Sequence, residues 1–139
     1  MGVTDGNVTA EIEVVERFLA ALEHLDAETA IDLLHPDVTY RNVPFPAARG
    51  VDAVATQLRG LARFCSGFEA INHNVASNGS VVLTERTDVI EVGRVRMAFW
   101  VCGTFEVRDG RIVVWCDRFD MVDITRAMVW GLLRAPFSR

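Results

Sequence analysis

Three short patterns in this chain carry the residue types that general acid–base chemistry needs. Arg86 and Asp88 stand two apart in Thr84-Glu85-Arg86-Thr87-Asp88-Val89-Ile90, a run that otherwise reads as a strand after the turn signal Asn78-Gly79. Side chains at i and i+2 share a strand face, so Arg86 and Asp88 project together between Thr84 and Ile90. Near the C-terminus the same spacing puts Val113, Trp115, Asp117 and Phe119 on one face and Ile112, Val114, Cys116 and Arg118 on the other. Tyr40 and Asn42 form a third such pair. A carboxyl set among aromatics costs desolvation unless it is paired, solvated or functional. Arg86 with Asp88, taken alone, is also what an ordinary salt bridge on a solvated face looks like.

Composition bounds the classes open to such a site. With 139 residues, 50% hydrophobic and 24% charged, the chain fits a single domain with a generous core. A net charge of −5 offers no general nucleic-acid footprint. Every basic residue is Arg, which excludes a Schiff-base lysine and a phosphate-loop lysine. Cys65, Cys102 and Cys116 make no CxxC pair and share no metal spacing with His24, His35 or His73. They read as buried small hydrophobes of a protein in the reducing cytoplasm, with no metal. No signal peptide is visible, and no apolar run approaches the roughly 18 residues of a membrane span.

The elements that must position these residues follow in order. Met1 to Asn7 is small and polar and reads as a frayed terminus. Ile12, Val15, Phe18, Leu19 and Leu22 recur at helical spacing from Thr9, a candidate cap, to Glu23. A short helix starts at Asp26 or Ala27, carries Ala30, Leu33 and Leu34, and stops at His35-Pro36, which makes His35 a helix-end residue. Val38 to Val43 is a strand, Pro44 to Gly50 a loop able to wall a pocket, and Val51 to Phe64 a helix with Val54, Leu58 and Leu61 in its stripe. Strands follow over 68–77, 80–92, 95–107 and 111–119, with Arg108-Asp109-Gly110 as a hairpin turn. Met97, Phe99 and Val101 form an apolar face suited to a cavity wall, and Asp123 to Arg134 closes the chain as an amphipathic helix. This order predicts an α+β fold in which helices lie against the concave face of a strongly bent, hairpin-built antiparallel sheet.

Tyr40-x-Asn42, Glu85-Arg86-Thr87-Asp88 and Trp115-x-Asp117-x-Phe119-Asp120 together resemble the signature of the limonene-1,2-epoxide hydrolase family. The resemblance spans nearly the whole chain, 1–139, as one domain. It implies the nuclear transport factor 2-like fold: a curved mixed sheet whose N- and C-terminal helices close a cone-shaped apolar pocket. It also implies a homodimer and hydrolysis without a cofactor. On this reading Asp117 is the general base, Asp88 the general acid, and Arg86 the bridge between them. Tyr40 and Asn42 hold the attacking water, and the pocket draws on Leu58, Ile90, Met97, Phe99, Val101, Trp115, Phe119 and Ile124. The chain departs from the family pattern at Cys116 and Arg118, which by alternation face away from the pocket. Two other classes fit parts of this pattern. A ketosteroid-isomerase-like or polyketide-cyclase-like enzyme needs an acid and a tyrosine, and this chain has one tyrosine. A non-catalytic binder of apolar ligands needs the greasy wall but not the Arg-linked acids.

Overall fold

The structure is a computed structural model and describes residues 9–137, so the terminus read as frayed lies outside the described residues. Six strands form one curved mixed sheet in the order β2-β1-β6-β5-β4-β3, with four helices packed on it. The strands are β1 (Leu34–Val43), β2 (Ala48–Arg49), β3 (Gly67–Asn78), β4 (Val81–Val92), β5 (Val95–Arg108) and β6 (Arg111–Arg118). The helices are α1 (Ala10–Glu23), α2 (Ala27–Asp32), α3 (Val51–Phe64) and α4 (Met121–Arg134).

Helix starts follow side-chain capping. Thr9 Oγ1 accepts from the Ile12 amide at 3.2 Å, Asp26 from the Thr29 amide at 3.2 Å, and Asp120 from the Val122 amide at 2.7 Å. The Asp120 cap starts α4 two residues earlier than the apolar periodicity indicates. At the β5–β6 hairpin, Asp109 and Gly110 both hold positive φ, 54° and 76°, as a type I′ turn requires. α1 buries Ile12, Val15, Phe18, Leu19 and Leu22 against the sheet, where Phe18 meets Phe105 and Trp115 edge-on.

Four expectations need correction. The hairpin reading of an antiparallel sheet gives way to the mixed sheet that the resemblance implies, because β1 pairs with β6 in parallel. β1 begins at Leu34, so His35 and Pro36 lie in a strand and not at a helix end. Pairing slips between Leu34 and Thr39, and Pro36, which lacks an N–H, falls in that irregular stretch. A second bulge follows Glu106, so Ile112 pairs with Val107 and is fully buried in the core despite its expected outward phase. Finally, Cys65, Cys102 and Cys116 are free thiols but only half-buried.

The segment read as loop contains the two-residue β2, which pairs with Thr39 and Tyr40. Of β5, only Cys102–Arg108 pairs with β6, which leaves the first half of β5 with a free edge. α4 covers it: the Trp100 amide donates to Asp123 at 3.0 Å, and a Cβ on Gly131 would stand 2.6 Å from the Arg96 carbonyl oxygen. No helix of the described residues is long and apolar enough to cross a membrane.

Candidate active site

Strand register brings the three sequence patterns onto one face. Asn42 on β1 pairs with Asp117 on β6, Asp117 with Gly103 on β5, and Gly103 with Thr84 on β4. Arg86 and Asp88 continue that face of β4, where Val82, Thr84, Arg86 and Asp88 are all buried. The alternate residues Leu83 and Glu85 are exposed, so the solvated-face reading of Arg86 and Asp88 fails. Arg86 is the largest fully buried side chain among the described residues.

Arg86 joins both acids. Its Nε donates to Asp88 Oδ1 at 2.7 Å and its Nη2 to Asp88 Oδ2 at 3.1 Å. The same Nη2 donates to Asp117 Oδ2 at 2.7 Å, and Nη1 donates to Thr84 Oγ1 at 3.1 Å. Asp117 Oδ1 is buried and has no hydrogen-bond partner within the protein. Beside it, Asn42 Nδ2 donates to the Tyr40 hydroxyl, which leaves the Tyr40 O–H free to donate onward. The Tyr40 ring stacks on Trp115 with centroids 3.7 Å apart, and this fixes where its hydroxyl stands. Burial raises the Tyr40 hydroxyl above its ordinary value, reinforced by the Asp117 charge, so it stays protonated.

These polar groups form the floor of a cavity of about 490 Å³ whose walls are otherwise mostly apolar. Leu58, Ile90, Met97, Phe99, Val101, Trp115, Phe119 and Ile124 all line it, as do Tyr40, Asn42, Arg86, Asp88 and Asp117. Phe45 brings the Pro44–Gly50 segment into the wall. Cys116 and Arg118 do not line it, and Arg118 donates instead to Thr104 Oγ1 at 2.9 Å on the outer face. Sequence reasoning missed Leu19 and Leu22, which read only as a core stripe on α1, and Leu61, Phe64 and Met128 at the helical rim. Gly103 was also missed, although an isolated glycine inside a strand signals close approach by another group.

Taking two acids and a cation out of water seldom stabilises a fold relative to an apolar replacement, so the cluster calls for a functional explanation. Burial would lower the Arg86 guanidinium, but the Asp117 and Asp88 charges and hydrogen bonds more than offset it and hold it above its ordinary value. Burial raises the Asp117 carboxyl, ahead of the opposing Arg86 charge. A carboxyl raised in the folded state contributes stability below its unfolded value, near 3.8, and loses it as pH climbs through the raised value. Asp117→Asn removes that loss. Its melting temperature minus that of wild type is therefore expected to grow from about pH 4 toward neutrality, measured by calorimetry at matched pH. A difference that shrinks over this range would contradict a raised Asp117.

The profile of the limonene-1,2-epoxide hydrolase catalytic domain matches residues 9–130. The chain belongs to the limonene-1,2-epoxide hydrolase family. It is an enzyme of the epoxide hydrolase type. Epoxide hydrolase EphG of Mycobacterium tuberculosis is 44% identical to it over 119 residues, covering 86% of this chain and 79% of that protein. A solved LEH-like epoxide hydrolase of M. tuberculosis matches with a TM-score of 0.87 at 42% identity, over 92% of this chain and 96% of its own. An NTF2-like protein of Burkholderia pseudomallei K96243 matches with a TM-score of 0.76 at 16% identity, over 87% and 98% of the two chains. That last likeness is one of fold alone, and it agrees with the nuclear transport factor 2-like architecture that the limonene-1,2-epoxide hydrolase resemblance implies.

Proposed function

We propose that this limonene-1,2-epoxide hydrolase family member converts an apolar, cyclic or terpenoid epoxide to a vicinal diol in one step, without a cofactor. The observation that carries this reading is the pair of acids bridged by Arg86 at the floor of an apolar cavity, with Asp117 Oδ1 unpartnered.

Water attacks an epoxide carbon poorly unless a base takes its proton in the same step. A water in front of Asp117 Oδ1 is held by the Tyr40 hydroxyl and the Asn42 amide. Asp117, ionised, takes one proton as the water oxygen bonds to carbon. The carbon–oxygen bond of the ring breaks, and the departing oxygen takes the proton of Asp88. Negative charge passes from Asp117 to Asp88, and Arg86 faces an anion in either state. The proton then returns to Asp88 across the hydrogen-bonded cluster. Apolar walls strengthen each of these interactions by excluding bulk water. The cavity of about 490 Å³ admits ring systems and leaves the polar contacts to the floor.

The test uses epoxides graded in size, from cyclohexene oxide through limonene-1,2-epoxide to larger rings, in chelator-containing buffer. With enzyme in excess and water labelled with ¹⁸O, the first turnover is expected to place the label in the diol. An unlabelled first-turnover diol with label in Asp117 would mean a covalent ester and overturn the one-step reading. Epoxide bound and returned unchanged across the series would favour the ligand binder. Family membership carries two further proposals, a homodimer and residence in the cytoplasm. The exposed Val129, Trp130, Leu132 and Leu133 on α4 are the apolar surface such a dimer would cover.

A further inference from the structure

The two acids stand on strands that are not neighbours, since β5 lies between β4 and β6. For Arg86 to reach Asp117, its side chain must cross the face of β5. The residue it crosses is Gly103, which pairs with Thr84 on one side and with Asp117 on the other. A Cβ at Gly103 would stand 2.5 Å from Arg86 Nη1, 2.7 Å from Thr84 Oγ1 and 3.0 Å from Asp117 Oδ1. None of these atoms yields cheaply. Arg86 is 1% exposed and held by four hydrogen bonds, and Thr84 is a short branched side chain that is also 1% exposed.

We infer that Gly103 and Thr84 are positioning residues for epoxide opening: Gly103 clears the path across β5, and Thr84 fixes the guanidinium plane within it. Nη1 bonds to neither carboxyl, and its hydrogen bond to Thr84 Oγ1 stops Arg86 from rotating toward one acid at the expense of the other. The hydroxyl is the working part of Thr84, because valine would fill the same volume without an acceptor. The titratable groups facing the guanidinium are Asp88 on β4, Asp117 on β6 and Tyr40 on β1. β3 sets the uncharged Asn72 opposite it, β5 offers Val101 and Gly103, and α1 and α3 present Leu19, Leu22 and Leu58 to the cavity.

This inference rests on the epoxide hydrolase reading, and the experiment separates the two. Thr84→Val, Thr84→Ser and Gly103→Ala are compared with wild type for kcat, KM and pH profile. The ¹³C titration of the Asp117 carboxyl is followed in the same proteins without substrate. Thr84→Val is expected to lower kcat tenfold or more with little change in KM, and to move the Asp117 titration upward by about one unit. Thr84→Ser is expected to restore both. Gly103→Ala is expected to lower kcat further than Thr84→Val. Thr84→Val with wild-type kcat and an unmoved titration would overturn the role of Thr84. Equal losses in the valine and serine variants would assign its effect to shape and overturn it as well. A folded Gly103→Ala at wild-type rate would overturn the cleared path. If wild type opens no epoxide, the functional reading fails, and the titration still decides whether Thr84 positions Arg86.

Discussion

Asp117→Asn is expected to leave the sheet intact and to slow epoxide opening by about 10²–10⁴-fold in kcat. The amide has the size of the carboxyl, and its oxygen can still accept from Arg86 Nη2, so the packing around Trp115 survives. What disappears is basicity at Oδ1, the atom with no hydrogen-bond partner within the protein. Asp88→Asn should cost a similar factor but behave differently in the folded protein. Both Asp88 oxygens accept from Arg86, so an amide there turns an N–H₂ toward a donor of the guanidinium. Asp88→Asn should therefore be the less stable of the two variants. Diol formation under single turnover, beside the melting temperature of each variant, checks both parts. Wild-type turnover in either variant would remove that acid from the mechanism.

Arg86→Ala is expected to lose activity below detection and to cost about 3–5 kcal/mol of folding stability at neutral pH. The large value comes from what remains: two carboxyls, each nearly inaccessible to water, with no cation between them. Protonation of Asp117 relieves that strain, so the loss should shrink as the pH falls. Urea unfolding at neutral and acid pH measures it directly. A loss that stays constant with pH would point to the missing side-chain volume and not to unpaired charge.

Much of this site is legible in strand spacing because a strand repeats every two residues. Arg86 with Asp88, Tyr40 with Asn42, and Trp115 with Asp117 each follow from that period alone. Their convergence does not. Hairpin signals report which neighbours in the chain pair, but β1 meets β6 in parallel across most of the sequence, and no local pattern marks that contact. The family resemblance, not the periodicity, supplied the mixed sheet. Bulges explain other misreadings: the slip after Glu106 re-phases Ile112 without disturbing Trp115 and Asp117. Pro36 hid the start of β1, since proline favours a stop wherever backbone N–H groups are needed. The cavity wall from α1 was hidden for another reason. Leu19 and Leu22 are apolar at helical spacing whether they fill a core or line a pocket.

The parallel pairing of β1 and β6 also governs when the site comes into existence. Hairpins join β3 to β4, β4 to β5 and β5 to β6 by short closures, whereas β1 and β6 close the longest stretch of chain. Before β6 docks, Arg86 has a single carboxylate partner, Asp88, from its own strand. Asp117 arrives with the last strand, and Tyr40 with Asn42 join only when β1 pairs with β6. During synthesis on the ribosome, Arg86 and Asp88 therefore emerge before Asp117. A chain interrupted before β6 lacks Asp117 and leaves β1 without its parallel partner, so the docking of β6 is the step that assembles the cluster.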